Sequence, residues 1–111
     1  MNKNELSINT IRIIGNEAIN KASSGHPGMV LSSACISYCL FNHVLNITNE
    51  NPRWVNRDRF VLGSGHASML LYTNLHLLKY NISIDDIKSF RQLGSITPGH
   101  PEYGVTEGVD C

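Results

Sequence analysis

Three of the five histidines directly follow a glycine: Ser24-Gly25-His26-Pro27-Gly28, Gly63-Ser64-Gly65-His66-Ala67 and Pro98-Gly99-His100-Pro101-Glu102. With nine glycines in 111 residues, composition alone gives roughly 0.4 such pairs. A glycine before histidine removes a Cβ, so backbone can approach a ligand closely while the imidazole is aimed at it. His26 and His100 are each followed by proline, which stiffens the loop and favours an extended histidine backbone. A neutral imidazole both donates and accepts a hydrogen bond and exchanges protons near neutral pH. Three such loops suit one site that binds a hydroxyl-rich substrate or moves a proton.

Other chemistries fit less well. Three histidines can ligate catalytic zinc, but no two here lie one helical turn apart to anchor it. Ser24 and Ser64 lack a nucleophile-elbow context, and no triad carboxylate can be assigned. No stretch matches a phosphate-cradling P-loop or a dinucleotide fingerprint. Arg57-Asp58-Arg59 reads as an ion-pair network, solvated or at an interface, rather than a phosphate site. His43 and His76 lack the glycine, fall in helical patterns and read as packing or surface residues. Each Gly-His taken alone is also compatible with an ordinary turn; the triple occurrence is what favours a site.

The elements that position these loops follow from periodicity. Ile8, Ile11, Ile14, Ala18 and Ala22 recur at helical spacing, with Gly25 as a natural stop. A second helix is predicted from about Met29 to Val44, apolar on nearly every face and so buried on most sides. Cys35 and Cys39, four apart, share a face of it and read as small core residues. Asn46 to Asp58 is a polar loop, and Phe60-Val61-Leu62 is one short buried strand. Gly63-Ser64-Gly65 turns the chain into a third helix with Ala67, Leu70, Leu71, Leu75 and Leu78 inward. Strand, glycine turn and helix form the half-unit of an α/β fold, whose ligands bind at strand carboxyl ends, where His66 stands. Ser83-Ile84-Asp85-Asp86 resembles a capping box, opening a short helix with Ile84, Ile87 and Phe90 inward. From Leu93 onward glycine and proline indicate irregular loop. A lone strand cannot form a sheet, so the expected architecture is an incomplete α/β one, mostly helices and loops.

Bulk composition narrows the class. The chain is 41% hydrophobic and 16% charged, with nine basic and nine acidic residues and no net charge. That removes the electrostatic footprint of a nucleic-acid or anionic-membrane binder. Three cysteines without paired spacing point to a reduced, cytoplasmic compartment. The first 25 residues offer no apolar signal core, and Met29 to Leu45 is too polar and short to span a bilayer. A soluble chain of one domain at most is expected.

Ser24-Gly25-His26-Pro27-Gly28, Asn56 to Leu62 running into Gly65-His66-Ala67, Phe90-Arg91-Gln92 and Thr97-Pro98-Gly99-His100-Pro101-Glu102 together resemble the N-terminus of the transketolase family. Dihydroxyacetone synthase is the near alternative. The similarity runs from about Ile11 to Val109. It departs at Asn16, usually aliphatic, at Met29-Val30-Leu31-Ser32, and at Gly63-Ser64 in place of the commoner Ser-Asn.

The resemblance implies that residues 1–111 are the N-terminal part of a pyrophosphate-binding domain, truncated before the metal-binding motif. It also implies transfer of a two-carbon ketol unit from a ketose phosphate to an aldose phosphate, in the pentose phosphate pathway. Thiamine diphosphate and Mg2+ or another divalent cation are the implied cofactors. By position, His26 resembles the substrate-binding histidine that assists proton transfer, a catalytic role. His66 resembles the one contacting the cofactor diphosphate, and His100 one hydrogen-bonding the donor sugar. The metal ligands and the activating glutamate would lie past residue 111, and the family's site forms between the subunits of a homodimer. The isolated 111 residues are therefore expected to be inactive. The rival expectation is a non-catalytic binding or interaction module that reuses the histidine loops.

Overall fold

The structure, a computed structural model, describes residues 1–111. It begins with α1, Lys3–Ala22. The Asn2 side chain accepts from Glu5 N at 2.9 Å while the Glu5 carboxylate accepts from Asn2 N at 3.1 Å. This reciprocal cap satisfies two otherwise orphan donors at the helix start. Ile11, Ala18 and Ile19 are buried, and Ile8, Ile14 and Ala22 pack against the same core, as the spacing predicts. Asn16, at a departure from the family pattern, is exposed. The helix stops earlier than Gly25: Ser23 adopts the left-handed conformation, φ 52°, and its N–H closes onto Asn20 and Ile19 carbonyls.

The predicted helix from Met29 to Val44 is in fact α2, Pro27–Ser32, then α3, Ala34–Cys39, then one π-helical turn, Leu40–Val44. The break falls at Ser32-Ser33, residues whose hydroxyls compete for backbone bonds. In a continuous helix the Leu31 carbonyl would bond Cys35 N; here it accepts from Arg12 Nε at 3.0 Å. An arginine from α1 thus satisfies the carbonyl freed by the kink. The segment is also less buried than predicted. Val30, Ala34, Tyr38 and Phe41 face inward, but Leu31, Ile36 and Val44 are exposed, and so are Cys35 and Cys39. Those two cysteines are not core residues, because they lie on the outward face of α3.

The all-round buried helix is α4, Ser68–Leu77, entered through a short 3-10 turn, Gly65–Ala67. Every residue from Ser68 to Leu75 is buried. Leu70, Leu71 and Leu75 occupy the predicted inward stripe, with Leu78 partly buried beside them. The polar residues on its other faces survive burial because each is bonded. Thr73 Oγ1 donates to the Met69 carbonyl at 2.9 Å, and Asn74 Nδ2 to the Leu70 carbonyl at 2.8 Å and Ser37 Oγ at 3.0 Å.

The predicted capping box forms at α5, Ile84–Lys88, with Ser83 and Asp86 bonded reciprocally. Ile87 and Phe90 point inward as expected, whereas Ile84 is exposed. Phe60-Val61-Leu62 joins no β-ladder, since the chain provides no second strand to pair with it. Phe60 instead packs on Phe41 at 4.9 Å between ring centroids, and its N–H donates to Asp110 Oδ2 at 2.9 Å. The architecture is helices and loops, as expected of an incomplete α/β unit. No helix is long and apolar enough to cross a membrane.

Candidate functional site

The three Gly-His loops converge. The His26 and His66 rings meet edge to face with centroids 4.9 Å apart. His100 lies alongside Gly65, where an added Cβ would come 3.5 Å from its ring carbon Cγ. His66 and His100 both line a groove of 610 Å³, whose other walls come from Phe60 to Gly65 and from Leu71, Pro101, Val109 and Cys111. All three histidines are exposed. None of their ring nitrogens bonds within the chain, in contrast to His76, whose Nδ1 is 2.7 Å from the Ile82 carbonyl oxygen. His43 packs edge to face on Tyr38. His76 thus has a ring nitrogen engaged by the chain, and His26, His66 and His100 do not.

Local folding explains how each loop is held. Gly25, φ 133°, presses against Phe90 and Ile19, where an added Cβ would meet carbon atoms at 3.0 and 3.2 Å. Position 25 is thus closed to other residues by conformation and by packing. His26 then occupies the cap position of α2 with Pro27 at the first helical position. His66 rides on the 3-10 turn that leads into the buried α4. Helix α4 fixes the third loop as well. Ser68 Oγ donates to the Gly99 carbonyl and the Tyr72 hydroxyl to the Pro98 carbonyl, both at 2.7 Å. Two carbonyls just ahead of His100 are thereby tied to the helix that carries His66. Burial pushes the Tyr72 phenol far up, so it remains a donor to Pro98 at ordinary pH.

Of the Arg57-Asp58-Arg59 cluster, expected to be a solvated or interface ion-pair network, only Arg57 forms an ion pair, within the chain and largely buried, while Arg59 donates to the nearby Val55 and Arg57 carbonyls. Arg57 Nη2 pairs with Asp110 Oδ1 at 2.8 Å, a bridge about one-tenth exposed. Asp58 Oδ2 accepts from Asn46 N at 2.7 Å. No group of three or more His, Cys, Asp and Glu side chains lies close enough to hold a metal ion. The groove beside His66 contains no acidic side chain, so its donor set suits an anionic group. Sequence reasoning missed Ser68, Tyr72 and Arg91, which position the loops without standing in a Gly-His pattern. Arg91 had a visible signal, since Phe90-Arg91-Gln92 is one of the segments that carries the family resemblance.

Known proteins resemble this chain over nearly its whole length. The family model described as transketolase, thiamine diphosphate binding domain, matches residues 3–111. Transketolase of Geobacillus stearothermophilus is 58% identical over 107 residues, covering 96% of this chain and 16% of that protein. The structure of transketolase from Leishmania mexicana superposes with a TM-score of 0.93 at 44% identity, over 98% of this chain and 16% of that one. Transketolase of Pichia stipitis in complex with sedoheptulose-7-phosphate gives 0.92 at 43%, over 96% and 16%. The chain thus spans about one-sixth of the length of these relatives. With convergent histidine loops, nearly full coverage by the family model and a close structural match, the chain belongs to the transketolase family, in its thiamine diphosphate binding domain.

Proposed function

We propose that this chain serves a transketolase reaction, passing a two-carbon ketol unit from a ketose phosphate to an aldose phosphate. Residues 1–111 supply the N-terminal part of the pyrophosphate-binding domain and three imidazoles of the site. The observation that carries this reading is the convergence of His26, His66 and His100 from three separate loops. The sugar phosphate held by the Pichia stipitis relative supports the substrate class. In this reading the assembled enzyme is a cytoplasmic homodimer of the pentose phosphate pathway, and the divalent ion, Mg2+ or another, draws its ligands from outside these residues.

Thiamine diphosphate, when bound, supplies the carbon nucleophile and electron sink for C–C cleavage. His66, on a groove wall without acidic side chains, holds the diphosphate end by hydrogen bonding. His26 takes the proton that leaves the donor's C3 hydroxyl as the C2–C3 bond breaks, acting as a general base. His100 holds the terminal hydroxyl and carbonyl region of the donor, so the sugar sits in one orientation while the proton moves.

The test is a chimera in which this segment replaces its counterpart in the Geobacillus stearothermophilus relative. Ketol transfer that depends on thiamine diphosphate is expected. A folded chimera that binds the cofactor yet transfers no ketol unit, beside an active parent, would overturn the reading.

A further inference from the structure

The chemistry described above uses three imidazoles, but the residue that joins two of their loops is Arg91. Its backbone lies in the left-handed region, φ 61°, which a side-chain-bearing residue rarely adopts. That conformation is held by neighbours: Arg91 N donates to the Thr97 carbonyl at 3.1 Å, and Phe90 is buried in the core. From there the guanidinium reaches in two directions. Nη1 donates to Ser24 Oγ at 2.8 Å, 67 residues away in sequence and two before His26. The planar group also lies against Gly99, immediately before His100, so that an added Cβ there would sit 2.9 Å from Nε and 3.2 Å from Cζ.

Two further observations sharpen this. Nε is buried with no hydrogen-bond partner, a state that is costly for a charged group. The guanidinium thus satisfies one donor on Ser24 while its Nε is held against Gly99 without one. Secondly, Phe90 presses on Gly25 as Arg91 presses on Gly99. Adjacent residues of one short segment each contact the glycine that precedes a histidine. They form a spacer whose two faces fix the separation of the His26 and His100 loops.

We propose that Arg91 is a positioning residue that couples the His26 loop to the His100 loop, so that the two imidazoles keep one relative placement; the kinetic part of the proposal rests on the transketolase reading. Lysine would not substitute, because it has neither the planar face against Gly99 nor a fork that can reach Ser24 from that contact. Coupling through Arg91 also has a particular signature. Ser24 and Gly99 are linked through it, so substitutions at either position should act as one.

The experiment uses the chimera with Ser24→Ala, Gly99→Ala, Arg91→Ala and Arg91→Lys. Ser24→Ala and the Arg91 substitutions remove the charge-assisted bond to Ser24, and Gly99→Ala displaces the guanidinium that makes it, so each should lower turnover about tenfold, with thiamine diphosphate affinity unchanged. The Ser24→Ala/Gly99→Ala pair should do no more harm than either alone, and both should be silent once Arg91 is alanine. Multiplicative effects of the pair would overturn the proposal, because a merely local structural role predicts them. Amide hydrogen exchange tests it without activity. Ser24→Ala, at an exposed site that tolerates change, should speed exchange in residues 98–101 as well as 24–28. Exchange confined to 24–28 would overturn the coupling. A chimera that folds and shows the coupled exchange but transfers no ketol unit would count against the transketolase reading and leave the coupling standing.

Discussion

His26 and His66 share an edge-to-face contact, and the different tasks proposed for them should separate experimentally. His26 occupies the cap position of a short helix beside a glycine wedged on Phe90, and neither of its ring nitrogens bonds within the chain. In the chimera, His26→Ala should lower turnover by about 10²–10⁴-fold, the usual size of a general acid–base contribution, with little change in cofactor affinity. Steady-state kinetics alongside thiamine diphosphate titration would show it, and near-parental turnover would remove His26 from the proton-transfer role. His66 has the opposite balance. It lines the groove free of acidic side chains, so His66→Ala should weaken thiamine diphosphate binding by about 10–100-fold, one hydrogen bond to a charged group. Calorimetric titration of apo-enzyme decides it; unchanged affinity with lost turnover would move His66 to the substrate. These three histidines were legible in the sequence because glycine and proline mark them. The purpose of the glycines was not. Gly25 and Gly99 make room for Phe90 and Arg91 of the same chain. Long-range contacts of that kind leave no local pattern to read.

At the scale of elements, α4 does the work that the sequence assigned to the Met29–Val44 segment. Both are apolar, and periodicity cannot say which of two apolar helices the others surround. The leucine-rich α4 can be central because its polar groups find partners at short range, as Thr73 and Asn74 do with the helix carbonyls before them. The Met29–Val44 segment breaks at two serines and leaves one face outward. Caps fared better, since the Ser83 box is a local motif and forms as written. The tie between α4 and the His100 loop gives a stability test. Tyr72→Phe removes the hydroxyl that donates to the Pro98 carbonyl, at a cost of about 1–3 kcal/mol. Its pH dependence follows from the direction of the shift. Burial raises the Tyr72 phenol above its ordinary 10.0, so the folded chain keeps a proton that the unfolded chain releases. That contribution is complete below this ordinary value and is lost as pH rises above it. Tyr72→Phe should therefore lower the melting midpoint at neutral pH and flatten its decline in alkali. Some slope should persist, because burial raises Tyr80 in the same sense. An equally steep alkaline decline in the variant would show that Tyr72 is not the group responsible.

Over the whole molecule the limiting dimension is thickness. The principal extents are 38 × 36 × 24 Å, and at 10–12 Å per helix the thin direction holds only about two layers. One layer of contacts is spent surrounding α4, so the outer faces of the other elements stay uncovered. Leu31, Ile36, Val44, Val61 and Leu93 are exposed at 46, 65, 65, 61 and 107%. Three of these, Leu31, Ile36 and Val44, lie on the single segment from α2 to the π-helical turn, so apolar exposure is concentrated there. Phe60 to Leu62 runs extended without a neighbouring strand, and its pairing groups are only partly taken up, by Asp110 at Phe60. The chemistry is correspondingly partial, with free imidazoles but no cluster of metal-ligating side chains. Residues 1–111 expressed as an isolated polypeptide should therefore bind a hydrophobic dye and elute as more than a monomer. They should show no ketol transfer even with excess thiamine diphosphate and magnesium, whereas the chimera should be active. Size-exclusion chromatography, dye fluorescence and the transfer assay check the three statements separately. A monomeric polypeptide with a sharp cooperative melt and measurable turnover would mean that the exposed apolar face needs no cover and that three imidazoles suffice.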